Sequence, residues 1–179
     1  VAILNIDDIE VRKTVVHAVN KGSIIAKELA GIEAAVSQLF PTTAPYCDLD
    51  LVPKFNYDIE KAELINCPSC KKNELKFIYQ AGDAAAAAIV DDIAADLALV
   101  GISAVPEPKA TRDDLNADMQ AGKFNIVFSE TWGNPYDPHG YLASWKAPNE
   151  AHHKVLENLD GKLNASIYGN RVDAILSEP

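Results

Sequence analysis

Apolar and polar positions along the chain follow two periods, one of two residues and one close to the helical 3.6. Residues 74–80 alternate, with Leu75, Phe77 and Tyr79 against Lys76 and Ile78, which predicts a strand. Residues 1–5, 102–105 and 124–128 are short apolar runs that also read as strands. Residues 9–20 carry Val11, Val15, Val16 and Val19 on one helical face, behind Asp7 or Asp8 as the cap. Asn20-Lys21-Gly22 breaks that helix, and Ser23 is positioned to cap a second one to residue 30. Residues 31–54 contain Pro41, Pro45 and Pro53 and read as loop, followed by a short helix over 58–65. Asp83 caps a long helix over 84–100 that Gly101 ends. Thr111 and Asp114 are spaced as a capping box, opening a helix to residue 121 that Gly122 stops. Residues 151–177 read as two helical pieces, broken at Asp160-Gly161 and near Gly169.

The predicted order is β-α-α, loop, α, β-α-β-α-β, loop, α-α. Strands alternating with helices indicate a layered α/β domain. The length of 179 residues suits one domain with a core of its own. Apolar residues are 48% and charged residues 23%, ordinary values for a soluble globular protein. A net charge of −10 and a pI near 4.8 count against a nucleic-acid partner, which calls for a basic face. No apolar run reaches the roughly 20 residues needed to span a bilayer. The chain opens Val-Ala-Ile-Leu-Asn, without initiator Met or basic leader, and is expected to be a processed product or an excised piece.

Three cysteines are present: Cys47, Cys67 and Cys70. Cys67-Pro68-Ser69-Cys70 is a CxxC, open to three readings: half a zinc site, free or redox-active thiols, or a tight local disulfide. Four zinc ligands would require Cys47 or one of the four His, none at partner spacing. Asp91-Asp92 reads as a solvated helix face, and Asp7-Asp8 and Asp113-Asp114 as helix-start residues. No Ser-His-Asp or Cys-His pairing and no glycine-rich phosphate loop stands out, so no enzyme chemistry is expected.

The densest chemistry lies in 124–145. A buried strand runs into a loop carrying Trp132, Tyr136, His139, Tyr141 and Trp145 beside Gly133, Pro135, Pro138 and Gly140. Both Trp of the chain and two of its six Tyr fall there. Aromatics on a constrained loop at a strand end suggest a recognition site, because α/β proteins bind ligands beyond the ends of their strands.

Four collinear blocks resemble one family, the nickel- and peptide-binding solute-binding proteins (family 5) of ABC transporters. Leu4-Asn5, Val11-Arg12 and Ala18-Val19-Asn20-Lys21 form the first block. Leu39-Phe40-Pro41, Pro45-Tyr46, Tyr57-Asp58 and Lys61-Ala62 form the second, and Ala94, Asp96-Leu97 and Val100-Gly101-Ile102 the third. The fourth, Thr131-Trp132-Gly133-Asn134-Pro135-Tyr136-Asp137-Pro138-His139, is similar to the "TWGAPYDPH" loop of the nickel-binding branch. The resemblance implies a type II periplasmic-binding-protein fold of two lobes, and residues 1–179 as a single α/β lobe, the second one, with a mixed sheet flanked by helices. It implies a missing first lobe, an ABC permease as partner, and a periplasmic or extracellular location.

By the same resemblance Trp132 and Tyr136 line a ligand cleft. An indole and a phenol offer flat apolar area with one polar handle each, which suits the organic shell of a metal chelate. The bland alternative is that both fill the core. Asp137 can brace the turn, and His139 can be a metal ligand or a packed residue. His152 and His153 are candidate metal ligands, since imidazole suits Ni²⁺, Cu²⁺ and Zn²⁺. Adjacent His on a helix point about 100° apart, however, and the family's metal-contacting His aligns with Glu150. Asn134 stands where the dipeptide-binding branch has an Asp for the ligand's ammonium, which disfavours a free peptide N-terminus. The expected function is therefore binding of a nickel or other divalent-metal chelate between two lobes, the chelate being cargo rather than a cofactor. The alternatives are a peptide-binding member of the family and a repurposed extracellular sensor domain.

Overall fold

The computed structural model describes residues 2–36, 54–72, 74–128 and 153–155. Four strands form one mixed sheet in the order β1-β4-β2-β3: β1 (Ala2–Leu4), β2 (Glu74–Gln80), β3 (Ser103–Lys109) and β4 (Ile126–Phe128). β2 runs parallel to β3 and to β4, whereas β1 is antiparallel to β4. The helices are α1 (Ile9–Ala18), α2 (Lys21–Glu28), α3 (Ile59–Leu64), α4 (Ala84–Leu99) and α5 (Arg112–Gln120). The expected α/β class with a mixed sheet is what the chain adopts.

The path of the chain explains the layers. α4 carries it outward from β2 to β3, and α5 carries it back across β2 to β4. Crossovers of one hand running in opposite directions place their helices on opposite faces. On one face Leu75, Phe77 and Ile126 pack with Val11 and Val15 of α1, Ile24 of α2, Ala62 of α3 and Val90, Ile93 and Leu97 of α4. On the other, Ile3, Ile78 and Val127 pack with Leu115 of α5 and with Phe124. Because both faces are covered, β4 is apolar on both sides, and in β2 Ile78 on one face is as deeply buried as Phe77 on the other.

Of the two expected cap candidates it is Asp8 that caps α1, accepting the N–H of Glu10 at 2.8 Å. Several local expectations are corrected. α1 ends at Ala18, because Asn20 caps α2 by accepting the Ser23 N–H at 3.0 Å. Ser23 therefore lies within the helix rather than ahead of it. β3 extends to Lys109 through Pro106 and Pro108. The sheet order makes β3 an edge strand, and the Lys109 carbonyl faces inward to accept the Ala81 N–H at 2.8 Å. Residues 106 and 108, of the opposite parity, turn their missing N–H groups outward, where proline is tolerated and a further strand is refused. The helices expected over 151–177 are represented by helical residues 153–155; the rest of that segment lies outside the described residues. The CxxC is a disulfide, Cys67–Cys70, across a 3₁₀ turn over Pro68–Lys71.

β4 is extended at its start by side chains. Asn125 donates its N–H to the Lys76 carbonyl at 3.0 Å, and its Oδ1 accepts the Lys76 N–H at 2.9 Å. On the other side its carbonyl accepts the Asn5 N–H at 2.7 Å, and its Nδ2 donates to the Asn5 carbonyl at 3.3 Å. Asn5 Nδ2 in turn donates to the carbonyls of Gly122 and Phe124. At the far end of β3, Lys109 Nζ lies 2.7 Å from both Glu107 and Asp118, which ties the strand to α5. Hydrogen bonding to Lys109 holds both carboxyls below their usual range, and hydrogen bonds to Asp118 and Glu107 hold Lys109 above its own.

Two outcomes follow. Asn125→Ala should destabilise the fold by about 0.5–1.5 kcal/mol in urea unfolding, because the Lys76 N–H exchanges a protein acceptor for water beside a short strand. Lys109→Met should cost about 1 kcal/mol at neutral pH, a value limited by the solvent exposure of Glu107. The lowered carboxyl pKa values give stability that is present above the unfolded-state values and lost as pH falls through the folded ones. Thermal melts of wild type and variant should therefore converge below about pH 4.

Candidate functional site

The parallel strands β2, β3 and β4 end at one edge of the sheet. β4 pairs Ile126 with Phe77 and Val127 with Ile78, so Phe128 comes level with Tyr79 and the β2–α4 turn lies just beyond. Phe128 is the last described residue before the aromatic segment of the sequence. Phe128 packs on Phe77 with ring centroids 4.9 Å apart at 59°, which anchors the strand's last residue to the core. Trp132, Asn134, Tyr136, Asp137 and His139, together with His152, lie outside the described residues.

Beside the same edge, on the α1–α2–α4 face, is a cavity of about 660 Å³. Its walls are apolar: Leu4, Val19, Ile89, Ile93, Ile126 and Phe128. Lys21 reaches over it to donate to the Val36 carbonyl at 2.8 Å, and burial lowers the pKa of its ammonium.

His153 is described, and is half-buried in a helical turn with Lys154 and Val155. Val155 packs against the Leu115–Phe124 cluster on the α5 face. The Lys154 stem lies over Gly122, close enough that a Cβ there would sit 2.9 Å from its Cε. His153 is thus held near the start of β4, whereas Trp132 and Tyr136 follow its end. Among the described residues no group of three His, Cys, Asp or Glu is placed to hold a metal ion.

Two buried polar residues were not singled out in the sequence. Thr14 is satisfied within α1 by donating to the Glu10 carbonyl at 2.8 Å. His17, 3% exposed, donates from Nδ1 to the Asn56 carbonyl at 2.8 Å, and its own carbonyl accepts the Asp58 N–H at 2.8 Å. It fastens the segment before α3 to α1. Its position at helical spacing from Thr14 was the signal, masked by the expectation that the buried face is purely aliphatic.

Comparison with known proteins defines the class. The family model "Bacterial extracellular solute-binding proteins, family 5 Middle" matches residues 4–153, and the chain belongs to this family. It is 32% identical over 174 residues to the nickel-binding periplasmic protein of Escherichia coli, an alignment covering 87% of this chain and 32% of that protein. Among solved structures, NikA from Brucella suis in complex with Fe(III)-EDTA superposes with a TM-score of 0.81 at 25% identity, over 94% of this chain and 37% of NikA. DppA from Helicobacter pylori in complex with the peptide STSA superposes at 0.70 and 19% identity, over 98% of this chain and 37% of DppA, and shares the fold. The chain spans about a third of the length of these relatives. No described helix is long and apolar enough to cross a membrane.

Gly122 has φ +66°, so a side chain there is strained as well as crowded by Lys154. Gly122→Ala should cost about 1 kcal/mol or more by urea unfolding. Adding Lys154→Ala should return the crowding part alone, and full recovery would refute the backbone argument.

Proposed function

We propose that residues 1–179 form one lobe of a two-lobed, extracytoplasmic family 5 solute-binding protein. Its cargo is a nickel or other divalent-metal chelate, delivered to an ABC permease. The observation that supports this is the Thr131-to-His139 block of the sequence, which follows β4 by three residues in a chain 32% identical to a nickel-binding protein. Trp132 and Tyr136 would pack on the organic shell of the chelate, with the phenol hydrogen-bonding a carboxylate. Asn134 and Asp137 would shape the loop. His139, His152 and His153 are the imidazoles available to the metal itself. Lobe closure over the cargo would be the hinge signal read by the permease.

Peptide cargo is the second reading, favoured by the shared fold with a peptide-bound relative. An amide at Asn134 is a poor counter-ion for a peptide ammonium, which argues against it.

Calorimetric titration of the full-length two-lobed protein with Ni²⁺–histidine, free Ni²⁺ and a dipeptide panel separates the two. The chelate should bind tightly, and Trp132→Ala and Tyr136→Ala should each weaken it by about ten- to thirtyfold, as loss of an aromatic anchor does. Residues 1–179 alone should bind the chelate far more weakly than the whole protein. Tight binding of a dipeptide with no response to chelate would reject the proposal.

A further inference from the structure

The Cys67–Cys70 pair has no part in the cargo reading, yet its surroundings are specific. The two cysteines bracket one 3₁₀ turn, with the Cys70 N–H donating to the Cys67 carbonyl at 3.1 Å. Cys70 is buried in the main core at 4% exposure, whereas Cys67 is only partly covered at its margin. Open clefts lie on either side: one is lined by Cys67, Pro68, Cys70 and Leu99, the other by Asp8, Ser69, Cys70 and Lys72, so Cys70 borders both and the difference in access rests on its deeper burial. The first is flanked by apolar surface, with Leu64 84% and Leu99 68% exposed.

Ser69, between the cysteines, donates from Oγ to Asp8 Oδ2 at 2.6 Å. The other oxygen of that carboxylate caps α1 through the N–H groups of Glu10, at 2.8 Å, and Val11. The turn therefore holds the residue that holds the start of α1. A ring closed over so few residues constrains the unfolded chain weakly, so it adds less to global stability than a long-range disulfide would. Its effect is local.

We infer that Cys67–Cys70 is a thiol–disulfide exchange site, open to an external dithiol at Cys67 and coupled through Ser69 and Asp8 to the N-terminus of α1. A thiolate of the dithiol attacks Cys67 Sγ. The Sγ–Sγ bond breaks, its electron pair passes to Cys70 Sγ, and that sulfur takes a proton from water. The dithiol's second thiolate then displaces Cys67 Sγ from the mixed disulfide, and that sulfur also takes a proton from water. The dithiol leaves as a cyclic disulfide, and the protein holds two thiols. With the turn relaxed, Ser69 no longer positions Asp8, and the first amides of α1 are less protected.

The test uses the intact chain under native conditions, with dithiothreitol as the dithiol in one arm and, in a separate arm without it, reduced glutathione followed by acid quenching as the trap. Peptide mass mapping separates Cys67 and Cys70 from Cys47. Dithiothreitol should open Cys67–Cys70 with circular dichroism unchanged, and glutathione should be found on Cys67. Hydrogen exchange at Glu10 and Val11 should rise roughly five- to tenfold on reduction. Ser69→Ala should give the same rise with the disulfide intact. Reduction that occurs only with global unfolding, or glutathione found on Cys70, would overturn the exchange site. Unchanged exchange at Glu10 and Val11, in the reduced protein or in Ser69→Ala, would overturn the coupling.

Discussion

Asn125 is the constraint on which the geometry of the site depends. β4 is three residues long, and a strand that short has few backbone bonds with which to hold its place between two neighbours. Asn125 adds what is missing: its backbone and its side-chain amide bond to Lys76 on one side and to Asn5 on the other. Asn5 completes the link by capturing the carbonyls of Gly122 and Phe124. With the start of β4 pinned, its register on β2 is pinned, and Phe128 arrives over Phe77 at the strand-end edge. The aromatic loop begins from that anchored point. Precision at the loop's base is thus set by amide hydrogen bonds at the other end of the strand.

The same view explains what the family motifs do. Asn20, in the first block, donates its N–H to Asp96 of the third block at 2.7 Å, joining the α1–α2 junction to α4. Asp58, in the second block, caps α3 and is held by His17 on α1. The described residues of these three blocks hold the fold together. The fourth block is the one proposed to meet a ligand, which is why the chain identifies its family more firmly than its cargo.

Much of the fold was legible because local chemistry and tertiary packing agree. The Asp83 cap, the Thr111–Asp114 capping box and the alternation over Glu74–Gln80 are all realised. The misreadings share a cause: a neighbour supplied what the local pattern lacked. Asn20 could act as cap rather than breaker because its own N–H is met by Asp96. Pro106 and Pro108 could lie in a strand because, among the described residues, β3 is paired on one side only. His17 and Thr14 could be buried because each polar atom that needed a partner found a carbonyl. None of these partners is near in sequence except that of Thr14, so periodicity could not reveal them.

For the site, residue type carried more than position. A Trp and a Tyr in a proline- and glycine-bounded segment suggest recognition by residue type alone. The imidazoles carry less. His153 is fixed beside the start of β4 by Val155 in the core and Lys154 over Gly122, while the aromatic pair follows the strand's end. A chelate held by aromatic packing needs no direct protein–metal bond, because its own organic ligands satisfy the cation. Under the proposed reading, Trp132 and Tyr136 would then suffice for this chain's share of the cargo, and discrimination among metals would fall to the chelator's shape and charge.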